Sequence, residues 1–237
     1  MIWCVIPAAG RGARFSAAMP KQYAPLVGVP MLVRTLDRLL SHPRVAGAMV
    51  ALSANDELWP SINELEGKPV RTCLGGAERA DSVLAALDEL STRCADDDWV
   101  MVHDAARPCV RSLDLDRMIT TLGDDAVGGI LAVPVRDTLK RCDESGAIIA
   151  TVDRTQLWHA LTPQMFRLGT LTRAIEAALA GGMMVTDEAQ AIEHAGHTPR
   201  VVAGHADNLK ITHPEDLELA RLILAAQDGA VAGGKPQ

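Results

Sequence analysis

Ile2-Trp3-Cys4-Val5-Ile6 runs directly into Pro7-Ala8-Ala9-Gly10-Arg11-Gly12-Ala13-Arg14-Phe15, and this stretch decides the fold. Five consecutive apolar residues are too few for a helix and too uniformly apolar for a strand with one wet face. They read as a strand buried on both sides. A loop of small residues follows at once. In an open α/β sheet, ligands sit beyond the carboxyl ends of the strands, where such loops lie.

The same rhythm continues outward. Ala48–Leu52, Val70–Leu74, Trp99–His103 and Gly129–Val133 are further short apolar runs. Helical spacing of apolar residues fills the gaps: Pro30–His42, Glu78–Leu90 and Ser112–Leu122, the last with Ser112 as its expected cap. Strand alternating with helix implies right-handed crossovers and a doubly wound, mostly parallel sheet of the α/β class. The middle breaks the pattern. Val135–Arg141 and Ala147–Val152 flank the turn-rich Cys142–Gly146, and the reading is a protruding antiparallel hairpin arm over about residues 135–158. An isolated hairpin is marginal in water, so the arm should pack on something, a partner subunit being one candidate. Helices are expected over Arg167–Ala180, Asp187–Ala195 and Pro214–Ala226, with strands at Arg200–Ala203 and Asn208–Thr212. Residues 1–226 read as one domain, and 227–237, rich in Gly and Ala, as a disordered tail.

Composition narrows the function. Of 237 residues, 23 are Lys or Arg and 30 are Asp or Glu, a net charge of −7. Four Trp, two Phe and one Tyr leave little for base stacking. Neither fits a general nucleic-acid binder, so an anionic ligand needs a local basic site. Cys4, Cys73, Cys94, Cys109 and Cys142 are odd in number and lack metal-site spacing, which points to reduced thiols. Ile2–Ile6 is too short for a secretory core, and no segment has the length of a membrane span; the expectation is a cytoplasmic protein with no membrane partner.

Three loops carry the chemistry. In the first, Pro7, Ala8, Ala9, Gly10 and Gly12 expose backbone N–H groups, and Arg14 and Lys21 add positive charge, a combination suited to a polyphosphate. Phe15 stands where a dinucleotide fingerprint needs its third glycine, and no Walker A string exists. A glycine-rich surface turn with solvated arginines fits the same residues. In the second loop, Gly75-Gly76 precedes Glu78, Arg79 and Ser82 at a helix start, which can hold a base edge or a sugar, or simply cap the helix. The third is His103-Asp104-Ala105-Ala106-Arg107-Pro108. Asp104 is placed to bind Mg²⁺ or a sugar hydroxyl, and Arg107 to pair with it or to meet a phosphate. His103 reads as a hydrogen-bonded strand-end residue and not as a catalyst.

Taken in order, P-A-A-G-x-G-x-R, P-K-Q-Y, G-G-x-x-R-x-x-S-V, H-D-A-A-R-P, P-V-x-D-T, V-D-R…L-W…T-P-Q, T-D-E-A and D-N-x-K-I-T resemble the 2-C-methyl-D-erythritol 4-phosphate cytidylyltransferase family from Ile6 to about Leu222. The resemblance implies a Rossmann-like nucleotidyltransferase fold, a homodimer with exchanged arms, and a reaction dependent on Mg²⁺ or another divalent cation. CTP and methylerythritol phosphate would be the substrates. It also implies roles. Pro7, Ala8, Ala9, Gly10 and Gly12 would hold the nucleotide with Arg14 and Lys21, which would stabilise the transition state. Gly76 and Ser82 would read cytosine, with Asp104 and Ala105 near ribose and metal. Lys210 would reach the reacting phosphates. Arg107, Thr138, Arg154 and Thr186 would bind the sugar phosphate, the arm residues acting from the other subunit, and Asp207 would be a second metal-side carboxylate. Two readings stand beside it: a ribitol 5-phosphate cytidylyltransferase, and a nucleotide sensor without catalysis.

Overall fold

The structure, a computed structural model, describes residues 1–10, 15 and 19–233. Gly12 and Arg14 therefore lie outside the described residues. The chain runs β1 (Ile2–Pro7), a 3-10 turn (Lys21–Tyr23), β2 (Pro25–Leu26), β3 (Val29–Pro30), α1 (Met31–Leu40), β4 (Gly47–Leu52), β5 (Glu64–Leu65), β6 (Lys68–Leu74), α2 (Arg79–Ser91), β7 (Trp99–Val102) and α3 (Ser112–Leu122). It continues through β8 (Gly128–Pro134), β9 (Leu139–Cys142), β10 (Ile148–Val152), β11 (Trp158–Arg167), α4 (Leu168–Ala180), α5 (Glu188–His194), β12 (Arg200–Ala203) and α6 (Asp216–Gly233).

The main sheet has the order β12-β8-β11-β7-β1-β4-β6-β5. Only β5 and β11 run against the other strands. β1 shows why apolar residues fill both faces. Ile2, Cys4 and Ile6 join Leu32, Leu36 and Leu39 of α1 and Leu115 and Met118 of α3 in one core. Trp3 and Val5 join Val83 and Leu87 of α2 and Leu171 and Ile175 of α4 in a second core across the sheet. Successive side chains point to opposite faces, so each half of the strand's alternation is buried under helices. A smaller cluster seats α6, through Ala220 and Leu224, on Leu26, Met31, Cys109 and Ile211, with Phe15 against it.

The α/β class, the parallel bias and the hairpin are as the sequence indicates. The central antiparallel β11 was not anticipated: its segment WHALTPQMFR carries Pro163 and no clean alternation. Four further expectations need correction. Arg111, not Ser112, stands at the N-cap of α3, with no side-chain cap bond. Asn208–Thr212 is not a strand. It is an irregular segment with Asn208 and Ile211 buried, tied through the Asn208 side chain to Thr162 O (2.7 Å) and through Ile211 N to Ala106 O (2.9 Å). The last helix starts at Asp216, two residues after Pro214, and it continues to Gly233, into the stretch expected to be disordered. Gln227 donates to Cys109 O (3.0 Å) and Asp228 accepts from Arg38 (2.6 Å), contacts that hold the helix beyond Ala226.

β9 and β10 form a separate two-stranded ribbon, paired Cys142 with Ile148 and Leu139 with Val152. The arm turns at Asp143, whose Oδ1 accepts from Ser145 N and Ala147 N (both 3.0 Å). Ile148 and Ile149 on it are 64% and 61% exposed.

Candidate active site

The ends of β1, β6 and β7 deliver the three sequence-marked loops to one edge of the sheet. Each loop leaves its strand still tied to the neighbour: Ala8 N donates to Ala51 O (2.8 Å), Gly75 N to Leu52 O (2.7 Å) and His103 N to Val5 O (2.9 Å). The first loop is fixed from below by the buried Gln22, whose Nε2 donates to Ala8 O (2.8 Å). The second closes onto α2: Gly76 N donates to Ser82 Oγ (3.1 Å), which donates to Glu78 O (3.1 Å). Glu78 and Asp81 form a reciprocal capping box there. The two loops meet at Gly75, where a Cβ would lie 2.6 Å from Ala9 Cβ and 2.9 Å from Ser82 Oγ. Only a glycine allows that approach without displacing a neighbour.

The third loop rests on a buried polar relay. The ladder between β11 and β8 is interrupted between Ala160 and Gln164. In that gap the Thr162 hydroxyl accepts from Asp104 N (3.1 Å) and lies 3.0 Å from His103 Nδ1. Arg107 O can only accept, so Nε2 carries the imidazole hydrogen and donates to it (3.0 Å), and Nδ1 of the neutral ring accepts the Thr162 hydroxyl proton. Burial lowers the His103 pKa to about 4, so the ring is neutral near pH 7. Thr35 Oγ1 holds Ala105 O (2.8 Å), and Arg107 Nη1 donates to Asn208 O (2.7 Å).

Two adjoining cavities result. The larger, about 370 Å³, is lined by Pro7, Ala8, Ala9, Gly10, Lys21, Gly76, Ser82, Ala105 and their neighbours. The smaller, about 240 Å³, includes Arg107, Thr162, Gln164, Thr186 and Asp187. Arg79, Asp104 and Lys210 line both. The expected nucleotide residues among those described thus fall in one chamber, and Arg107 and Thr186 in the other. A third hollow of about 460 Å³, around Met49, Arg71 and Arg93, lies apart from these loops.

Charge concentrates on the shared wall. Asp104, 8% exposed, meets Arg79 Nε at Oδ1 (3.2 Å), and Lys210 Nζ (2.9 Å) and Arg107 Nε (3.5 Å) at Oδ2. Burial alone would raise its pKa; Arg79, Lys210 and Arg107 together hold it well below the usual carboxylate range. Arg79 also grips the buried Glu188 with both terminal nitrogens, at 2.5 and 3.2 Å. Burial raises the Glu188 carboxyl above its ordinary value, against Arg79, while the two carboxylates keep the guanidinium charged.

Other expected residues are elsewhere. Thr138 and Arg154 are exposed on or beside the arm and line neither chamber of their own chain. The Arg154 guanidinium meets Arg136 O and does not pair with Asp153, which accepts from Thr155. Asp207 is gripped by Arg111, with contacts at 2.5, 2.9 and 3.1 Å, and by Gln227 (3.1 Å); it is not among the lining residues. Among the described residues no cluster of three or more His, Cys, Asp or Glu side chains is arranged to hold a metal ion. Arg79, Glu188, Gln22, Thr162 and Asn208 were not assigned functional roles from sequence. All lie in the quoted motifs, so the signal was their inclusion in G-G-x-x-R, T-D-E-A, P-K-Q-Y, T-P-Q and D-N-x-K.

A family profile described as 2-C-methyl-D-erythritol 4-phosphate cytidylyltransferase matches residues 2–226. A protein of that name from Ectopseudomonas mendocina is 53% identical over 227 residues, 95% of this chain and 97% of the relative. One from Stenotrophomonas maltophilia is 52% identical over 96% of this chain and 98% of its own length. The crystal structure of the Francisella tularensis protein of that name superposes with a TM-score of 0.80 at 35% identity, covering 94% of this chain and 99% of that one.

Proposed function

The chain belongs to the 2-C-methyl-D-erythritol 4-phosphate cytidylyltransferase family, and on that premise we propose how its two chambers carry out the family's reaction. The enzyme transfers a cytidylyl group from CTP to 2-C-methyl-D-erythritol 4-phosphate. The products are 4-diphosphocytidyl-2-C-methyl-D-erythritol and pyrophosphate, a step toward isoprenoid precursors by the non-mevalonate route. The observation that carries the mechanism is the pair of adjoining cavities with Arg79, Asp104 and Lys210 in their common wall.

CTP occupies the larger chamber. Its base lies against Gly76 and Ser82, its ribose at Asp104 and Ala105, and its triphosphate along the Ala8–Gly10 backbone and Lys21, with Arg14 joining from the same loop. The sugar phosphate occupies the smaller chamber beside Arg107, Thr186 and Lys210. Near neutral pH its phosphate carries a charge of about −1.5 to −2 and needs no base to become a nucleophile. One of its oxygens attacks the α-phosphorus. The bond from that phosphorus to the bridging oxygen breaks, and pyrophosphate leaves with the electron pair. Lys21, Arg14 and Lys210 offset the charge that builds, and the fixed chambers hold the attacking and leaving oxygens in line.

A divalent cation fits this site in a limited way. Mg²⁺ takes one or two carboxylates together with substrate phosphates and water. Asp104 supplies one buried carboxylate beside the nucleotide chamber. Asp207, held by Arg111, does not extend that set. When bound, Mg²⁺ would neutralise phosphate charge as a Lewis acid.

The arms complete the acceptor site in a homodimer. Ile148, Ile149, Leu157 and Trp158 are exposed apolar side chains on or beside a ribbon that, among the described residues, pairs with no other strand. Covering them against a second copy would bring Thr138 and Arg154 of the partner subunit to the sugar phosphate. The five cysteines are all unpaired, which fits a reducing cytoplasm. Among the described residues no helix is long and apolar enough to cross a membrane.

The test is pyrophosphate release from CTP, UTP, ATP and GTP, each with methylerythritol phosphate or ribitol 5-phosphate, with Mg²⁺ and with chelator. Release with CTP and methylerythritol phosphate, abolished by chelator, is expected. Preference for ribitol 5-phosphate, or CTP binding without release, would replace this assignment.

A further inference from the structure

The shared wall holds an alternating row of charges, Glu188⁻, Arg79⁺, Asp104⁻ and Lys210⁺, and its two cations differ in kind. Arg79 is anchored. Its terminal nitrogens grip Glu188 at 2.5 and 3.2 Å, and the Glu188 side chain is 2% exposed. Were Arg79 to swing away, Glu188 would remain as a buried, unpaired anion, which is strongly unfavourable. Lys210 is the opposite case. Its side chain is 45% exposed, sits on a flexible stem, and touches Asp104 through one nitrogen at 2.9 Å. Arg107 is the more distant partner: its Nε lies 3.5 Å from Asp104 Oδ2, at ion-pair range, while its Nη1 is spent on Asn208 O (2.7 Å).

We propose that Arg79, clamped by Glu188, is the resident counter-cation of Asp104, and that it thereby frees Lys210 to exchange between Asp104 and a substrate phosphate. Asp104 is buried and cannot give up all its cations. With Arg79 fixed on Oδ1, the departure of Lys210 from Oδ2 leaves the carboxylate still paired. Arg79 and Glu188 are thus positioning residues: they act through Asp104 on the availability of Lys210. The idea rests on the assignment of Lys210 to the reacting phosphates, and it explains why Arg79 lines both chambers while directing most of its hydrogen bonds to protein carboxylates.

The test is chemical labelling of the full chain without substrates. Acetylation of Lys210 by acetic anhydride is followed by peptide mass spectrometry, with the exposed arm residue Lys140 as internal reference. The variant is Arg79→Gln with Glu188→Gln, which removes both charges together and strands neither. Asp104 should then hold Lys210 more tightly. Lys210 labelling is expected to fall at least threefold relative to Lys140, although a merely loosened fold would raise it. Adding Asp104→Asn should restore the rate. In turnover, KM for the sugar phosphate should rise tenfold or more, with KM for CTP within threefold of wild type. If the paired variant does not fold, Arg79→Lys serves: it keeps a charge but cannot reach both carboxylates, and Lys210 labelling should fall in the same way. Unchanged or faster labelling in a folded variant overturns the proposal. If the wild-type protein does not turn over CTP with the sugar phosphate, the functional assignment fails, while the labelling result still decides the role of Arg79.

Discussion

Replacing His103 by Gln should remove a specific part of the protein's acid sensitivity. The ring is fully buried and neutral, accepting from Thr162 at Nδ1 and donating to Arg107 O at Nε2, each at 3.0 Å. Burial lowers its pKa from 6.5 to about 4. Between those two values the unfolded chain takes up a proton that the native protein refuses, so stability falls as pH falls through this window and levels off below it. At about 1.36 kcal/mol per unit, the whole shift corresponds to roughly 3 kcal/mol, of which about 2 kcal/mol is lost between pH 7 and pH 5. Asp104 does not confuse the measurement, because its carboxyl is depressed below the usual range and its stabilisation is lost only in more acid solution. Glutamine can accept from Thr162 and donate to Arg107 O without titrating. Urea unfolding at pH 7 and pH 5 should therefore show the wild-type protein losing about 2 kcal/mol more than His103→Gln. Equal losses in the two proteins would refute both the neutral ring and the relay that places it beneath Asp104.

Gly75→Ala inserts a Cβ 2.6 Å from Ala9 Cβ, where the first two loops meet. CTP affinity should fall at least tenfold by calorimetry, with the far-ultraviolet spectrum unchanged. Gln22→Ala strips the 2.8 Å donor from the Ala8 carbonyl and should cost about 1–3 kcal/mol in denaturant unfolding, together with a higher KM for CTP. Ile148→Asp with Ile149→Asp places charge on the exposed arm faces. Sedimentation should show monomers, and turnover should collapse while CTP binding persists. Lys21→Ala should lower kcat by about 10²-fold, the scale of losing one preorganised donor, and a change confined to CTP affinity would contradict the transition-state role proposed for it.

Much of this was legible because burial on both faces leaves a plain mark. Ile2–Ile6 and Trp99–Val102 are apolar throughout because helices cover each side, and the parallel strand order follows from the spacing between such runs. β11 left no such mark. Its residues 158–160 are exposed, its ladder breaks near Pro163, and its place between β7 and β8 is set by pairing partners distant in sequence. The first loop was visible as small residues with nearby cations, and Asp104 as an acid at a strand end. Arg79 and Glu188 were not recognisable as a pair, since 109 positions separate them and it is the packing of α4 against both α2 and α5 that brings them to 2.5 Å. Asp207 reads from sequence as a cation-side carboxylate, and the fold places Arg111 on it. A carboxylate's partner is a property of tertiary structure, and residue type alone does not disclose it.

A crystal structure with CTP and a non-reactive analogue of the sugar phosphate tests the two-chamber arrangement most directly. The triphosphate should lie along Ala8–Gly10 and Lys21 with the base at Gly76 and Ser82, the sugar phosphate should sit beside Arg107 and Thr186, and Lys210 should have moved from Asp104 to a phosphate oxygen. Both ligands in one chamber, or a triphosphate bound away from the first loop, would contradict it.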